Sequence, residues 1–336
     1  MVDTHDTNKF DQTPVTGTDL KDLDLQEVER HLDYAIRTNR YAGEARDVLE
    51  FLVEQRAAVK DGLGIKPTIA GLLVFGRWPQ RYLPHATVTL AHYRGNEINS
   101  GDVIHIHEYT GNVPQQIDRV IAYLSESMKH GYALEGGAQR QEKPQYPVLA
   151  LRELTVNAVA HRDYTIEESA VRVTMFRNQI EWTSPGRLPE GVTIETILEH
   201  QFARNKNLLR LLYQRSYVEK IGQGLDTVFD ECRKLELDVP TMRETGAAFI
   251  IRIQGHELLG ASQARLKLTD VQLQIVTLLK KQGSMNAQEI TDALRDDFKQ
   301  PRSLRTVQVD LKTLVDAGIV DRLGQTRAST YILHSL

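Results

Sequence analysis

The chain has 336 residues, of which 41% are hydrophobic and 26% charged, with a formal net charge of −4 and one cysteine, Cys232. That length holds two or three domains, and the composition excludes a disordered, collagen-like or low-complexity chain. A single cysteine excludes an internal disulfide framework and a multi-cysteine zinc site. With no secretory leader pattern and no apolar run near the ~20 residues of a membrane span, a cytoplasmic protein is expected.

Residues 1–22 are polar and lack apolar periodicity, so they read as a flexible tail or linker. Leu25, Val28, Leu32 and Ile36 recur at helical spacing, and Val48, Leu49, Leu52 and Val53 mark a second helix. A short helix from Pro67 to Phe75 precedes an alternating strand over 86–93 and a second strand over 103–107. Ile117, Val120, Ile121 and Leu124 then predict a helix over 113–128. Residues 23–145 are thus the N-terminal helical and strand part of an α/β domain.

Residues 147–160 predict a helix, followed by strands over 170–176 and 179–183 with Asn178 at the turn. The stretch from Ser184 to Gly191 reads as a loop, and residues 208–213 as a helix. Gly222-Gln-Gly224 precedes a helix running to about Leu235, and a strand over 248–253 closes the region 146–256. Residues 257–266 read as a linker.

The segment Arg152-Glu-Leu-Thr-Val-Asn-Ala-Val-Ala-His-Arg-Asp-Tyr164 places Glu153 and Asn157 four apart, on one face of a helix. A carboxylate and an amide so placed suit a hydrated divalent ion, although surface helices also carry this pair. Gly222-Gln-Gly224 reads either as a turn opening a helix or as a backbone cradle for phosphate at a helix N-terminus. His161, Arg162 and Asp163 read either as a helix C-terminus or as part of a pocket. Arg204, Asn205 and Lys206 read either as a lid over phosphates or as a solvated basic loop. No Walker A pattern occurs, so a helicase motor of that type is not expected.

The order Glu153, Asn157, Gly186, Gly222/Gly224 resembles the Bergerat-fold (GHKL) ATPases, the group that includes gyrases and histidine kinases. Within that group, RELTVNAVAHRDY, SPGRLPEG, ARNKNLL and EKIGQGL resemble the RecG-like helicase C-terminal domain. The resemblance implies an α+β fold of Bergerat type, a mixed sheet covered by helices, which binds ATP with Mg²⁺. It implies that Asn157 holds the metal and that Glu153 is the catalytic base. Nucleotide contacts then fall to Asn157, His161, Asp163, Ser184, Gly186, Arg204, Lys206, Gly222, Gly224 and Leu225. Ser184 stands where the family offers an aspartate to the adenine amino group, and Leu188 replaces a second glycine. In related proteins a Schlafen/AlbA-type domain precedes this arrangement. FDQTPVTGTDLKDLD resembles the connector that follows such a domain.

From Arg265 to the C-terminus the chain carries 11 Lys+Arg against 8 Asp+Glu, a net +3, while the remainder is −7. Three short predicted helices followed by two strands, over residues 267–336, resemble a winged helix-turn-helix domain. That resemblance implies DNA contacts from Arg302, Ser303, Arg305, Thr306 and Gln308 on the third helix, and from Arg322 and Arg327 on the wing. Winged helices also serve in protein interaction, and their reading of two half-sites implies a homodimer. The expected function is an ATP-binding, weakly ATP-hydrolysing DNA-binding regulator. The alternative is a DNA-binding transcriptional regulator with a non-hydrolysing ATPase-like domain.

Overall fold

A computed structural model describes residues 7–62, 64–128, 130–132, 142–200, 202–218, 224–256, 268–296, 302–316, 319–324 and 329–333. The chain divides into two compact units, Met1–Met128 with Pro144–Glu257, and Lys129–Lys143 with Leu258–Leu336. The class is α+β, and the larger unit fits a layered α/β sandwich built on a six-stranded mixed sheet.

The stretch read as a tail is folded from Thr7. A 3-10 turn spans Thr7–Gln12, and Val15 donates its N–H to Pro67 O (2.9 Å) while Ile69 donates to Thr13 O (3.0 Å). Polar composition hid this, because the segment is held by backbone bonds and by Asp11, which is fully buried. The helices α1 (Leu25–Arg37) and α2 (Val48–Glu54) start at Asp24 and Asp47, whose carboxylates accept N–H bonds of their first turns. A hairpin, β1 (Ala58–Asp61) and β2 (Gly64–Pro67), leads into the wholly buried α3 (Ile69–Phe75).

The central sheet collects β3 (Val88–Tyr93), β4 (Val103–Tyr109), β7 (Val171–Met175), β8 (Gln179–Pro185), β9 (Thr241–Glu244) and β10 (Ala248–Gln254). Its order is β4-β3-β7-β8-β10-β9, and only the β3–β7 pair is parallel. The helices α4 (Val113–Ser127) and α5 (Val148–Ala160) pack on this sheet, and α7 (Gly224–Lys234) packs on α5. The strands β5 (His130–Tyr132) and β6 (Glu142–Pro144) form a separate pair, and α6 (Lys206–Gln214) packs on α3. One apolar core joins Val28, Leu72, Leu90, Ile117, Leu154, Val173, Trp182 and Leu212. The elements predicted up to residue 253 are present, and the β1–β2 hairpin, the β5–β6 pair and the edge strand β9 are additional to them.

The smaller unit runs α8 (Asp270–Gln282), β11 (Ser284–Asn286), α9 (Ala287–Asp296), α10 (Leu304–Asp316), β12 (Val320–Leu323), β13 (Thr330–Leu333). Its sheet has the antiparallel order β11-β13-β12. Thr269 opens α8 with a reciprocal cap, and Val271, Ile275, Ile290, Val307, Leu311 and Tyr331 form an independent core. The 257–266 linker lies outside the described residues.

Candidate nucleotide site

The helix α5 is apolar on nearly every side, and two polar residues near its middle, Glu153 and Asn157, face a cavity of about 290 Å³. Side-chain hydrogen bonds fix the helix to its neighbours. Trp182 Nε1 donates to Thr155 Oγ1 (3.1 Å), Ser184 Oγ donates to Ala158 O (2.7 Å), and Asn205 Nδ2 donates to Ala160 O (2.9 Å). A second bond from Asn205 Nδ2 reaches Arg162 O (2.8 Å), so this buried amide closes the C-terminus of α5.

The N-terminus of α7 meets α5 at Gly224. A Cβ placed there would come within 2.1 Å of Glu153 Oε1 and 2.9 Å of Asn157 Nδ2, so only glycine lets the two helices approach with both polar groups between them. The turn after β8 is equally confined. Gly186 has φ +114°, a conformation L side chains rarely adopt, and a Cβ there would lie 2.8 Å from Asp163 Cβ. Asp163 donates its N–H to Pro185 O (2.8 Å) and pairs its carboxylate with Arg204 Nη1 (3.0 Å). Arg204 also donates to Arg187 O (2.6 Å), tying the two ends of the 187–204 loop together.

Glu153, Asn157, His161, Ser184, Gly186, Arg204, Gly224 and Leu225 line the one cavity. Asp163 stands behind Gly186 and acts through Arg204. Lys206 is exposed and away from the cavity, and Gly222 lies outside the described residues. Arg162 is a structural residue. Fully buried, it donates to the carbonyls of Asp163, Ile166 and Ser169 and stacks 4.7 Å from the Tyr164 ring centroid. His161 has its pKa lowered to about 4, first by burial and then by the Arg204 charge, so the imidazole is neutral at physiological pH.

An apolar part of the wall is formed by Trp182, Leu188, Leu198, Phe202, Phe249 and Ile251, and Arg187, His200 and Asp226 also line the cavity. Leu188 falls in the SPGRLPEG stretch, whereas Trp182, Phe249 and Ile251 are marked in the sequence only by the strand alternation of β8 and β10. The cavity therefore joins an apolar slot to a polar end holding a carboxylate, an amide and a helix N-terminus. That donor set suits a flat ring and an anion with its counter-ion. Among the described residues, no cluster of three or more His, Cys, Asp or Glu is placed to hold a metal by itself.

On the smaller unit, Ser303 opens α10, accepting from Thr306 N–H (3.2 Å) and sharing a hydroxyl bond with Thr306 (2.8 Å). Val307, Leu311 and Leu314 face the core, leaving Arg302, Arg305 and Gln308 exposed together with Lys312 one turn further, which sequence reasoning missed. Arg322 is exposed on β12, and Arg327 lies outside the described residues.

Comparison with known proteins finds a likeness to an ATPase-like domain over part of the larger unit. Residues 168–253 match the family model described as "Putative ATP-dependent DNA helicase recG C-terminal". The match covers Gly186, Arg204 and Gly224 and starts after α5, so Glu153 and Asn157 precede it. Residues 1–89 match a domain of unknown function, DUF8451, which takes in the stretch read as a connector. No curated protein matches the chain. A crystal structure of the DIP2311 protein from Corynebacterium diphtheriae is similar in fold, with TM-score 0.58 and 19% identity over 96% of this chain. The chain spans 64% of that structure's length. No helix among the described residues is long and apolar enough to cross a membrane.

Proposed function

We propose that the larger unit binds ATP with Mg²⁺ and hydrolyses it slowly, and that this binding modulates DNA contacts made by the smaller unit. The observation that carries the reading is the meeting of Glu153, Asn157, Gly186 and Gly224 around one cavity. It is supported by the family match over 168–253.

The residues present fit the nucleotide and its ion. Gly224 brings the N-terminus of α7 against Glu153 and Asn157, and the helix dipole there favours the negative charge of phosphate oxygens. Asn157 supplies the protein oxygen for Mg²⁺, which when bound neutralises phosphate charge and orients the phosphates. Glu153 positions a water and accepts its proton as the water oxygen bonds to the terminal phosphorus and the bond to the leaving ADP oxygen breaks. The base lies in the apolar slot against Trp182 and Phe249, with neutral His161 able to donate and accept. Arg204 leaves Asp163 for the phosphates when the 187–204 loop closes.

The order of helices and strands in the smaller unit supports a winged-helix reading, in which α10 is the recognition helix. Arg302, Ser303, Arg305, Thr306 and Gln308 face DNA, with Arg322 and Arg327 on the wing, and a homodimer in the cytoplasm reads two half-sites. A second reading, a DNA-binding regulator whose ATPase-like unit does not hydrolyse, is favoured by Ser184, whose hydroxyl donates to Ala158 O instead of a base.

Anisotropy of labelled duplex DNA over a salt series, with and without ATP and Mg²⁺, tests the proposal. A nucleotide-dependent shift in affinity supports it, and unchanged affinity removes the regulatory link. Phosphate release that disappears in Glu153→Ala excludes the second reading.

A further inference from the structure

A second cavity, about 660 Å³, opens between α1, α4, α5 and the turn after α6, and it shares no lining residue with the nucleotide cavity. Four arginines line it, Arg30, Arg37, Arg152 and Arg215, against two carboxylates, Asp33 and Asp118. Asp118 already accepts from Tyr217 OH (2.8 Å), and Glu27 just outside holds Arg30 (2.7 Å) and Arg215 (2.9 Å). Among the described residues no ion pair engages Arg37 or the half-buried Arg152.

Two of these guanidinium groups are held over aromatic rings, Arg152 over Tyr217 and Arg215 over Tyr34, each 5.8 Å from the centroid. Stacking fixes the plane of the guanidinium and lowers the ordering cost of each bond it then makes. Planar forks with free N–H groups match the oxygens of a phosphoryl group, and two arginines without carboxylate partners leave uncompensated positive charge inside a concave site.

The turn from Arg215 to Val218 joins the two cavities. Ser216 has φ +60°, rare for a residue with a side chain, and is held there by Arg152, which donates to its carbonyl, and by a hydroxyl bond to Tyr34 OH (2.8 Å). Val218, two residues on, lines the nucleotide cavity, and Glu153 follows Arg152 directly on α5. We infer that the Arg37–Arg152–Arg215 cavity is an effector site for a small phosphorylated molecule, whose binding draws Arg152 off Ser216 and so changes the nucleotide cavity through the 215–218 turn. The coupling rests on the nucleotide reading, whereas the anion binding stands apart from it.

Calorimetric titration of pyrophosphate tests the site in the wild type, Asn157→Ala, Arg37→Gln and Arg152→Gln. Binding should persist in Asn157→Ala and weaken at least tenfold in both arginine variants. Arg37 is exposed, and among the described residues its side chain makes one hydrogen bond, to the Asp33 carbonyl (3.3 Å), so Arg37→Gln separates lost binding from lost folding. No binding by the wild type, equal binding by Arg37→Gln, or binding lost in Asn157→Ala overturns the proposal. A fluorescent ATP analogue then reads the coupling. Pyrophosphate should change its affinity in the wild type beyond the change seen in Arg37→Gln, and an identical response in the two proteins overturns the effector role. If the analogue binds neither protein while pyrophosphate still binds, the nucleotide reading fails and the anion site remains.

Discussion

Gly224 lies so close to Glu153 that a single added carbon would sit 2.1 Å from the carboxylate oxygen. The colliding atom is the far end of a flexible side chain, so Gly224→Ala should fold and push Glu153 and Asn157 out of place. Nucleotide affinity should fall at least tenfold, with the free energy of urea unfolding changed by no more than the ~1 kcal/mol scale of a Gly-to-Ala helix substitution. Retained affinity would place the polar cluster outside the binding site.

The Asp163–Arg204 pair is largely enclosed, with side chains 17% and 14% exposed, and it braces the strained Gly186 turn. Replacing Asp163 by Asn leaves Arg204 without its counter-charge. Denaturant titration should show a loss of about 1–3 kcal/mol. A variant as stable as the wild type would show that the pair is dispensable to the loop.

Acid should weaken the larger unit through His31. Buried beside Phe51 and Phe75 and bonded to Gln214 Oε1 (3.0 Å), it has its pKa lowered by desolvation to about 4 from 6.5. The unfolded chain takes up this proton first, so stability is unaffected above pH 6.5 and falls as pH drops from there towards 4, by up to ~3 kcal/mol. The Asp11 carboxyl, raised chiefly by burial, acts in the opposite sense, so the test is a difference. The His31→Gln variant should show a shallower loss of stability than the wild type between pH 6.5 and pH 4; parallel curves would reject the assignment.

Asp11 caps α6, its Oδ2 accepting from Asn207 N (2.7 Å) and Leu208 N (3.1 Å). Asp11→Ala strands two buried donors and should cost about 1–2 kcal/mol in equilibrium unfolding. No change would mean that the N-terminal segment is not part of the folding unit.

What the sequence made legible was local. Helical spacing at Ile117, Val120 and Leu124, alternation along 86–93 and the Glu153–Asn157 interval all act within one element, and each is present where expected. Asp11 was illegible because its partners lie 196 and 197 residues away, and a polar stretch with distant partners looks like a tail. Arg162 was ambiguous for a related reason, since only the folded loop reveals which carbonyls it serves. The β1–β2 hairpin had a signal, Asp61-Gly62 between apolar stretches, that periodicity alone passes over. Ser184 stands out in the sequence as a departure from the ATPase pattern, but its bond to Ala158 emerges only when β8 is laid against α5.

Calorimetric titration of ATP with Mg²⁺ into the wild type and Asn157→Ala bears most directly on whether the cavity under α5 is a nucleotide site. Saturable one-to-one binding to the wild type, lost in Asn157→Ala while its unfolding curve is unchanged, is the predicted result. Absence of binding to the wild type, or equal binding by both proteins, would contradict it.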